Sequence, residues 1–160
     1  MVFKSAVQST NTIIFIPSSF DFIRIQNYFR KQPGVTFSVL SEYVSFNFLI
    51  IVVLFYRRYS KNPDISRARL SFFNSSSSFL LISERFHFFR RYKIRGCRNF
   101  IFYAPPDHPQ FYTEFLSFPF LDEGVESGDV TCSMLYSKYD RFRLERIVGS
   151  EKVGELIQAI

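Results

Sequence analysis

An α/β fold on a parallel sheet is what this sequence predicts, and three observations lead there. Short apolar runs at Thr12–Ile16 (TIIFI), Phe79–Ile82 (FLLI) and Asn99–Tyr103 (NFIFY) have the length and continuous apolarity of strands buried on both faces. Stretches of helical spacing separate them, the rhythm of strands joined by crossover helices. A chain of 160 residues, 47% of them hydrophobic, is also long enough to cover both faces of such a sheet.

The elements follow in order. Thr12–Ile16 stops at Pro17-Ser18-Ser19 and forms the first strand. Phe20, Ile23, Ile25, Tyr28 and Phe29 then recur at roughly helical spacing, with Ser18 or Ser19 as N-cap and Pro33-Gly34 as the stop. Val35–Leu40 alternates apolar and small polar residues, a second strand. From Val44 to Tyr59 the rhythm breaks. Phe48–Tyr56 has no polar group except the Tyr56 hydroxyl, and Arg57-Arg58 follow it. A spanning helix needs about 20 apolar residues, roughly twice this run, so a buried or misplaced segment is preferred over a membrane span.

The helical pattern resumes after Pro63-Asp64, where Ile65, Ala68, Arg69, Phe72 and Phe73 lie on adjacent turns and Asp64 is placed to cap. Asn74–Ser78 is a short loop before the Phe79–Ile82 strand. The Asn99–Tyr103 strand ends at Pro105-Pro106, and Asp107–Phe118 is predicted helical. A polar loop covers Leu121–Asp129, and Val130–Tyr136 alternates like a strand. Lys138–Val148 is a helix stopped by Gly149; Ser150 caps the last helix, with Glu151 in its first turn.

Composition narrows the function. Two cysteines, Cys97 and Cys132, exclude a disulfide scaffold and a cysteine-based zinc site. The two histidines and scattered carboxylates show no metal-ligand spacing, so no metal or other cofactor is expected. His87 reads as packed among aromatics and His108 as a helix-start residue. Neither GxxxxGK[ST] nor GxGxxG is present, and a phosphate loop is therefore lacking. The opening ten residues carry no secretory pattern. The net charge of +6 is uneven: residues 1–100 hold 15 Lys/Arg against 4 Asp/Glu, residues 101–160 hold 5 against 10. A basic part points to a polyanion, and an acidic tail to protein or solvent.

The most informative stretch is Ser83–Arg98. Arg85, Arg90, Arg91, Lys93, Arg95 and Arg98 interleave there with Phe86, Phe88, Phe89 and Tyr92, directly after a strand. The position is the carboxyl edge of a parallel sheet, where ligands bind. Guanidinium groups fork phosphates, and aromatic rings offer stacking platforms. The other reading is a surface helix whose phenylalanines anchor in the core while its arginines are solvated.

Four blocks go further: IIFIPSSFDFIRIQNYFRKQ (13–32), DISRARLSFF (64–73), SERFHFFRRYKIRGCRNFIFYAPPDHPQFYTEF (83–115) and MLYSKYDRFRLERIVGS (134–150). In this order they resemble the U3 small nucleolar RNA-associated protein 25 family, also called digestive organ expansion factor. The resemblance spans nearly the whole chain except Val44–Tyr59 and corresponds to the C-terminal end of a much longer protein, so the chain reads as a fragment or truncated relative. It implies a DEAD-box-like architecture, of which this chain is the second, RecA-like helicase lobe: one domain over 1–160, with an insertion at 44–59.

Members of that family are nucleolar components of the small-subunit processome needed for pre-18S ribosomal RNA processing, and are helicase-like without the conserved ATPase motifs. By position, Phe79–Gly96 stands where a helicase's second lobe carries its RNA-contacting strand and loop. The HRxGRxxR block that supplies an arginine finger is missing; Asp107-His108-Pro109-Gln110 stands in its place. Family members pass from Ser41-Glu42-Tyr43 to the DISRAR block through a short polar loop. The apolar run beginning at Val44 is expected to be a retained intron, whose GT would open a valine codon, or a gene-model error; the alternative is a genuine insertion.

The function expected from the resemblance is a non-catalytic RNA- and protein-binding module for ribosome biogenesis in the nucleolus. Its partners are U3 snoRNA, pre-rRNA and processome proteins, with no small-molecule substrate, and its RNA-binding residues are Arg85, Arg90, Arg91, Lys93, Arg95 and Arg98. Two alternatives come from other classes. One is a small membrane-associated protein anchored by Phe48–Tyr56, with Arg57-Arg58 at the interface. The other is an active helicase or ATPase lobe, which would need the absent phosphate loop and arginine finger.

Overall fold

The computed structural model describes residues 11–42 and 62–159, so the 44–59 segment lies outside the described residues. Five strands form one all-parallel sheet: β1 (Thr12–Ile16), β2 (Phe37–Leu40), β3 (Phe79–Ser83), β4 (Asn99–Phe102) and β5 (Thr131–Met134), in the order β2-β3-β1-β4-β5. The parallel α/β architecture expected from the sequence is the one observed. β1 is central, with Ile13 opposite Leu80 of β3 and Phe100 of β4. That explains its unbroken apolarity, because every one of its residues is buried.

Side chains alternate between two cores. Ile14, Ile16, Leu81 and Ile101 meet Phe22, Ile25 and Phe29 of α1 (Ser19–Arg30). The opposite face, with Ile13, Phe15, Leu80, Ile82, Phe100 and Phe102, is covered by three helices: α2 (Asn62–Phe73), α3 (Glu84–Arg90) and α4 (Gln110–Ser117). Eight of the chain's 22 phenylalanines are buried in this cluster. Phe15 meets Phe115 edge-on at 4.9 Å and Phe102 at 5.4 Å, geometries that aromatic quadrupoles favour. The chain steps one way from β1 to β2 and the other way from then on, changing face as it does so. This agrees with a single crossover hand. Connections after β1 and β4 therefore diverge, opening a crevice at their carboxyl ends.

Several local expectations are corrected. The buried face of α1 is Phe22, Ile25, Gln26 and Phe29, whereas Phe20, Ile23 and Tyr28 are exposed. Ser18 is its N-cap, accepting from the Asp21 N–H at 3.3 Å. Asp64 lies inside the first turn of α2 and pairs with Arg67 at 3.4 Å instead of capping. The helix expected over Asp107–Phe118 begins only at Gln110. The Lys138–Val148 stretch divides into a 3-10 turn at Lys138–Asp140 and α5 (Arg141–Val148). Asp140 causes the division, accepting the Ser137 N–H at 2.9 Å and its hydroxyl at 2.8 Å. Ser150 is the first residue of α6 (Ser150–Gln158) and not its cap, which is Gly149 at φ +87°. Among the described residues no helix is long and apolar enough to cross a membrane.

Candidate nucleic-acid interface

Ser83 ends β3 and caps α3, its hydroxyl accepting from the Phe86 N–H at 3.2 Å. The helix is short because Arg91 turns left-handed at φ +44°, its N–H returning to the His87 carbonyl at 2.9 Å. Residues 91–98 then run as an irregular strap to the amino end of the sheet, where Asn99 opens β4 beside Thr12. Ile94 and Cys97 pin this strap to the core. Burial pushes the Cys97 thiol up to about 12, so it is an inert anchor. Cys132 is exposed on β5.

The strap lies against the C-terminal half of α2. Arg69 stacks over the Tyr92 ring at 4.9 Å and donates from Nη2 to the Lys93 carbonyl at 3.0 Å. Arg95 lies over Phe73 at 5.9 Å and donates from Nε to Asp122 at 2.8 Å. The other Asp122 oxygen accepts the Gly96 N–H at 2.7 Å. Burial pushes Asp122 up, but the Gly96 amide and the Arg95 guanidinium outweigh it and hold the carboxyl below its usual range. Gly96 sits at φ +79°, and a Cβ there would lie 3.1 Å from the Phe73 ring and 3.3 Å from its Cα. Gly96→Ala is therefore expected to destabilise the fold by about 2 kcal/mol, seen as a lower urea midpoint. An unchanged midpoint would contradict this seating of strap on helix.

The six basic residues expected to act together are not in one place. Arg90, Lys93 and Arg95 are exposed along the strap side, and Arg69 joins them from α2. Among the described residues Arg90 and Lys93 make no ion pair. Arg91 is drawn to α4, 3.4 Å from Glu114 and over Phe111 at 5.1 Å. Only Arg85 stays at the carboxyl edge, 3.6 Å from Glu42. Arg98 is half-buried at the amino edge, and its Nη1 has no hydrogen-bond partner among the described residues. The expectation that the whole segment lies at the carboxyl edge is thus corrected: the strap carries it away after one short helix. Arg69 is the site residue that sequence reasoning missed.

Two buried ionisable groups of α3 hold the helix in place. His87 is buried against Phe111, Phe115 and Phe118, as its aromatic setting suggested. Its Nε2 is 3.3 Å from Glu114 but lacks hydrogen-bond geometry. Burial lowers its pKa below 6.5, opposed by Glu114 and reinforced by Arg91. The unfolded chain therefore binds the proton more readily than the folded one. Stability is full above about pH 6.5 and is lost as pH falls from there toward the lowered folded value. His87→Phe should remove that part of the acid dependence in melting curves, and an identical pH profile in the variant would contradict it.

Glu84 is the second group. It is 4% exposed, and its carboxylate accepts the N–H of Asp107 at 3.0 Å, the N–H of His108 at 2.9 Å and His108 Nδ1 at 2.8 Å. These bonds tie the start of α3 to the loop between β4 and α4. Nearby, Arg143 of α5 meets Asp107 at 2.8 Å, in a cavity of about 310 Å3 between the carboxyl ends of β1 and β4. Among the described residues no group of three or more His, Cys, Asp or Glu is placed to hold a metal ion.

Residues 46–160 match the family model described as the Utp25 C-terminal domain. The chain belongs to the Utp25 family. It is 40% identical over 157 residues to the U3 small nucleolar RNA-associated protein 25 homologs of Mus musculus and Homo sapiens, covering 98% of this chain and 18% of each relative. To the U3 small nucleolar RNA-associated protein 25 of Podospora anserina it is 37% identical over 163 residues, covering 97% of this chain and 22% of that one. This Utp25-family chain thus spans about a fifth of the length of these curated relatives. Among solved structures it is similar to a chain in the crystal structure of the E. coli DEAD-box protein SrmB bound to regulator of ribonuclease activity A. That match has a TM-score of 0.43 at 9% identity and covers 87% of this chain and 84% of the other.

Proposed function

We propose that this Utp25-family chain is a non-catalytic RNA- and protein-binding module of ribosome biogenesis. It works in the nucleolus, within the small-subunit processome, on U3 snoRNA and pre-rRNA during pre-18S processing. Its relatives' names associate them with U3 small nucleolar RNA. The observation that carries the reading here is the strap, where Arg69, Lys93 and Arg95 stand among Tyr92 and Phe73 on one surface. Cations interleaved with rings suit a single strand, whose phosphates need charge and whose bases need faces. Arg95 pairs with Asp122, but its own side chain is 58% exposed, so its remaining guanidinium N–H groups are open to a phosphate.

A non-catalytic role fits the sequence, which has neither a phosphate loop nor the HRxGRxxR block. The net negative charge of residues 101–160 suits a protein-facing surface. Affinity purification of the tagged chain, followed by sequencing of bound RNA, tests the reading. U3 and pre-ribosomal RNA are the expected recovery; a chain that enriches neither would contradict it.

A further inference from the structure

The strap leaves the C-terminal end of α3, and the side of the helix that carries Arg85, Phe88 and Phe89 faces a cleft of about 350 Å3 at the carboxyl edge of the sheet, lined also by Pro17, Ser19 and His108. Phe88 and Phe89 are 45% and 66% exposed, and their rings stand nearly perpendicular with centroids 5.2 Å apart. A phenyl pair left in water beside a concave surface marks a contact site. Arg85 lies over Phe89 at 5.9 Å, and the His108 ring is 4.9 Å from Phe88. Glu84 fixes the imidazole. It already accepts two backbone N–H groups, so His108 Nδ1 carries the proton in that 2.8 Å bond. In the neutral ring Nε2 is then left as a hydrogen-bond acceptor.

We propose that this cleft takes one unpaired base of a single-stranded RNA, stacked on Phe88, with its phosphate held by Arg85. The proposal rests on the RNA-binding reading and extends it to a second contact point. The chemistry of the lining selects the occupant: ring faces for stacking, an imidazole nitrogen that can accept from an exocyclic amine, and a guanidinium for an anion. An aliphatic peptide anchor would use only the first of these. The two contact points are also joined. On α3, Arg90 lies five residues beyond Arg85 and two beyond Phe88, about 7.5 and 3 Å along the helix axis, so one strand can reach both contact points.

Fluorescence anisotropy of the 160-residue chain with a single-stranded RNA oligomer tests this, using wild type, a Phe88→Ala/Phe89→Ala double variant and Phe88→Leu. Both rings are exposed, so melting temperatures should hold, and Phe88→Leu keeps apolar volume while removing the ring face. The double variant is expected to bind about tenfold more weakly with an unchanged salt slope, since stacking involves no counterion. Phe88→Leu should share most of the loss. One abasic position in the oligomer should weaken wild type similarly and add nothing in the double variant. If both variants bind RNA as wild type does while removal of the strap cations abolishes binding, the cleft proposal falls and the RNA reading stands. Wild type that binds no RNA overturns both. Retained RNA affinity with loss of a co-purifying protein would make the cleft a protein anchor and also overturn the proposal.

Discussion

Replacing Arg69, Lys93 and Arg95 together by alanine should weaken binding to single-stranded RNA about a hundredfold near physiological salt. Each phosphate contact on a single strand contributes roughly 0.7 to the slope of log affinity against log salt, so three lost contacts should flatten the slope by about 2. The loss should be uniform across RNA sequences, because phosphates carry no sequence information. Arg69→Lys separates charge from geometry. It keeps the cation but gives up the stack on Tyr92 at 4.9 Å, so it should retain most of the slope and lose part of the affinity. The Arg90→Ala/Arg91→Ala pair should do less than the triple variant, since Arg91 is already engaged by Glu114 and Phe111. Equal affinity and equal slope in the triple variant would remove the strap from RNA binding.

Glu84→Ala should destabilise the fold by about 3 kcal/mol, a fall in melting temperature of roughly 6–12 °C for a chain of this size. The cause is the set of donors left behind. Two backbone N–H groups and His108 Nδ1 converge on this carboxylate, and among the described residues none of these bonds is duplicated elsewhere. Glu84→Gln should cost less than Glu84→Ala. Its amide oxygen still accepts, but its NH2 faces a donor where the second carboxylate oxygen stood. Thermal melting of the two variants checks the order, and a Glu84→Ala protein that melts with wild type would show that water replaces the carboxylate at no cost. Because His108 also borders the base-sized cleft, Glu84→Gln should weaken RNA binding beyond its effect on stability.

How much of this was legible in the sequence depends on whether the deciding contact was local. β1, β3 and β4 were visible because strands buried on both faces must be apolar at every position, and no helix of comparable length needs that. The cap at Ser18 was visible because a cap is a contact across three residues. The buried face of α1 was not. Phe20, Ile23 and Tyr28 are as apolar as Phe22, Ile25 and Phe29, so only the sheet beneath decides between them. A chain this rich in phenylalanine blurs the periodicity that normally marks a helix face.

The same holds at the candidate site. Arg85–Arg98 stood out as a cluster along the chain, yet a one-dimensional cluster need not stay together in space. The left-handed residue at Arg91 ends the helix after seven residues and sends the strap across the face, which leaves Arg85 and Arg98 at opposite edges. Arg69 escaped notice because its partner, Lys93, is 24 residues away. Nothing local in the sequence singles out Glu84, and its role emerges only with Asp107 and His108, 23 and 24 residues later. Long-range pairing of this kind carries no local sequence signal, although DISRAR and the Ser83–Phe115 block both lay within the recognised resemblance.

Ultraviolet crosslinking of the tagged chain in living cells, with both the RNA and the crosslinked peptides identified, tests the central claim most directly. U3 and pre-ribosomal RNA adducts on peptides from residues 67–98, where α2, α3 and the strap meet, are the predicted result. A chain that carries no RNA adduct, or carries adducts only within residues 101–160, where acidic residues outnumber basic ones, would contradict it.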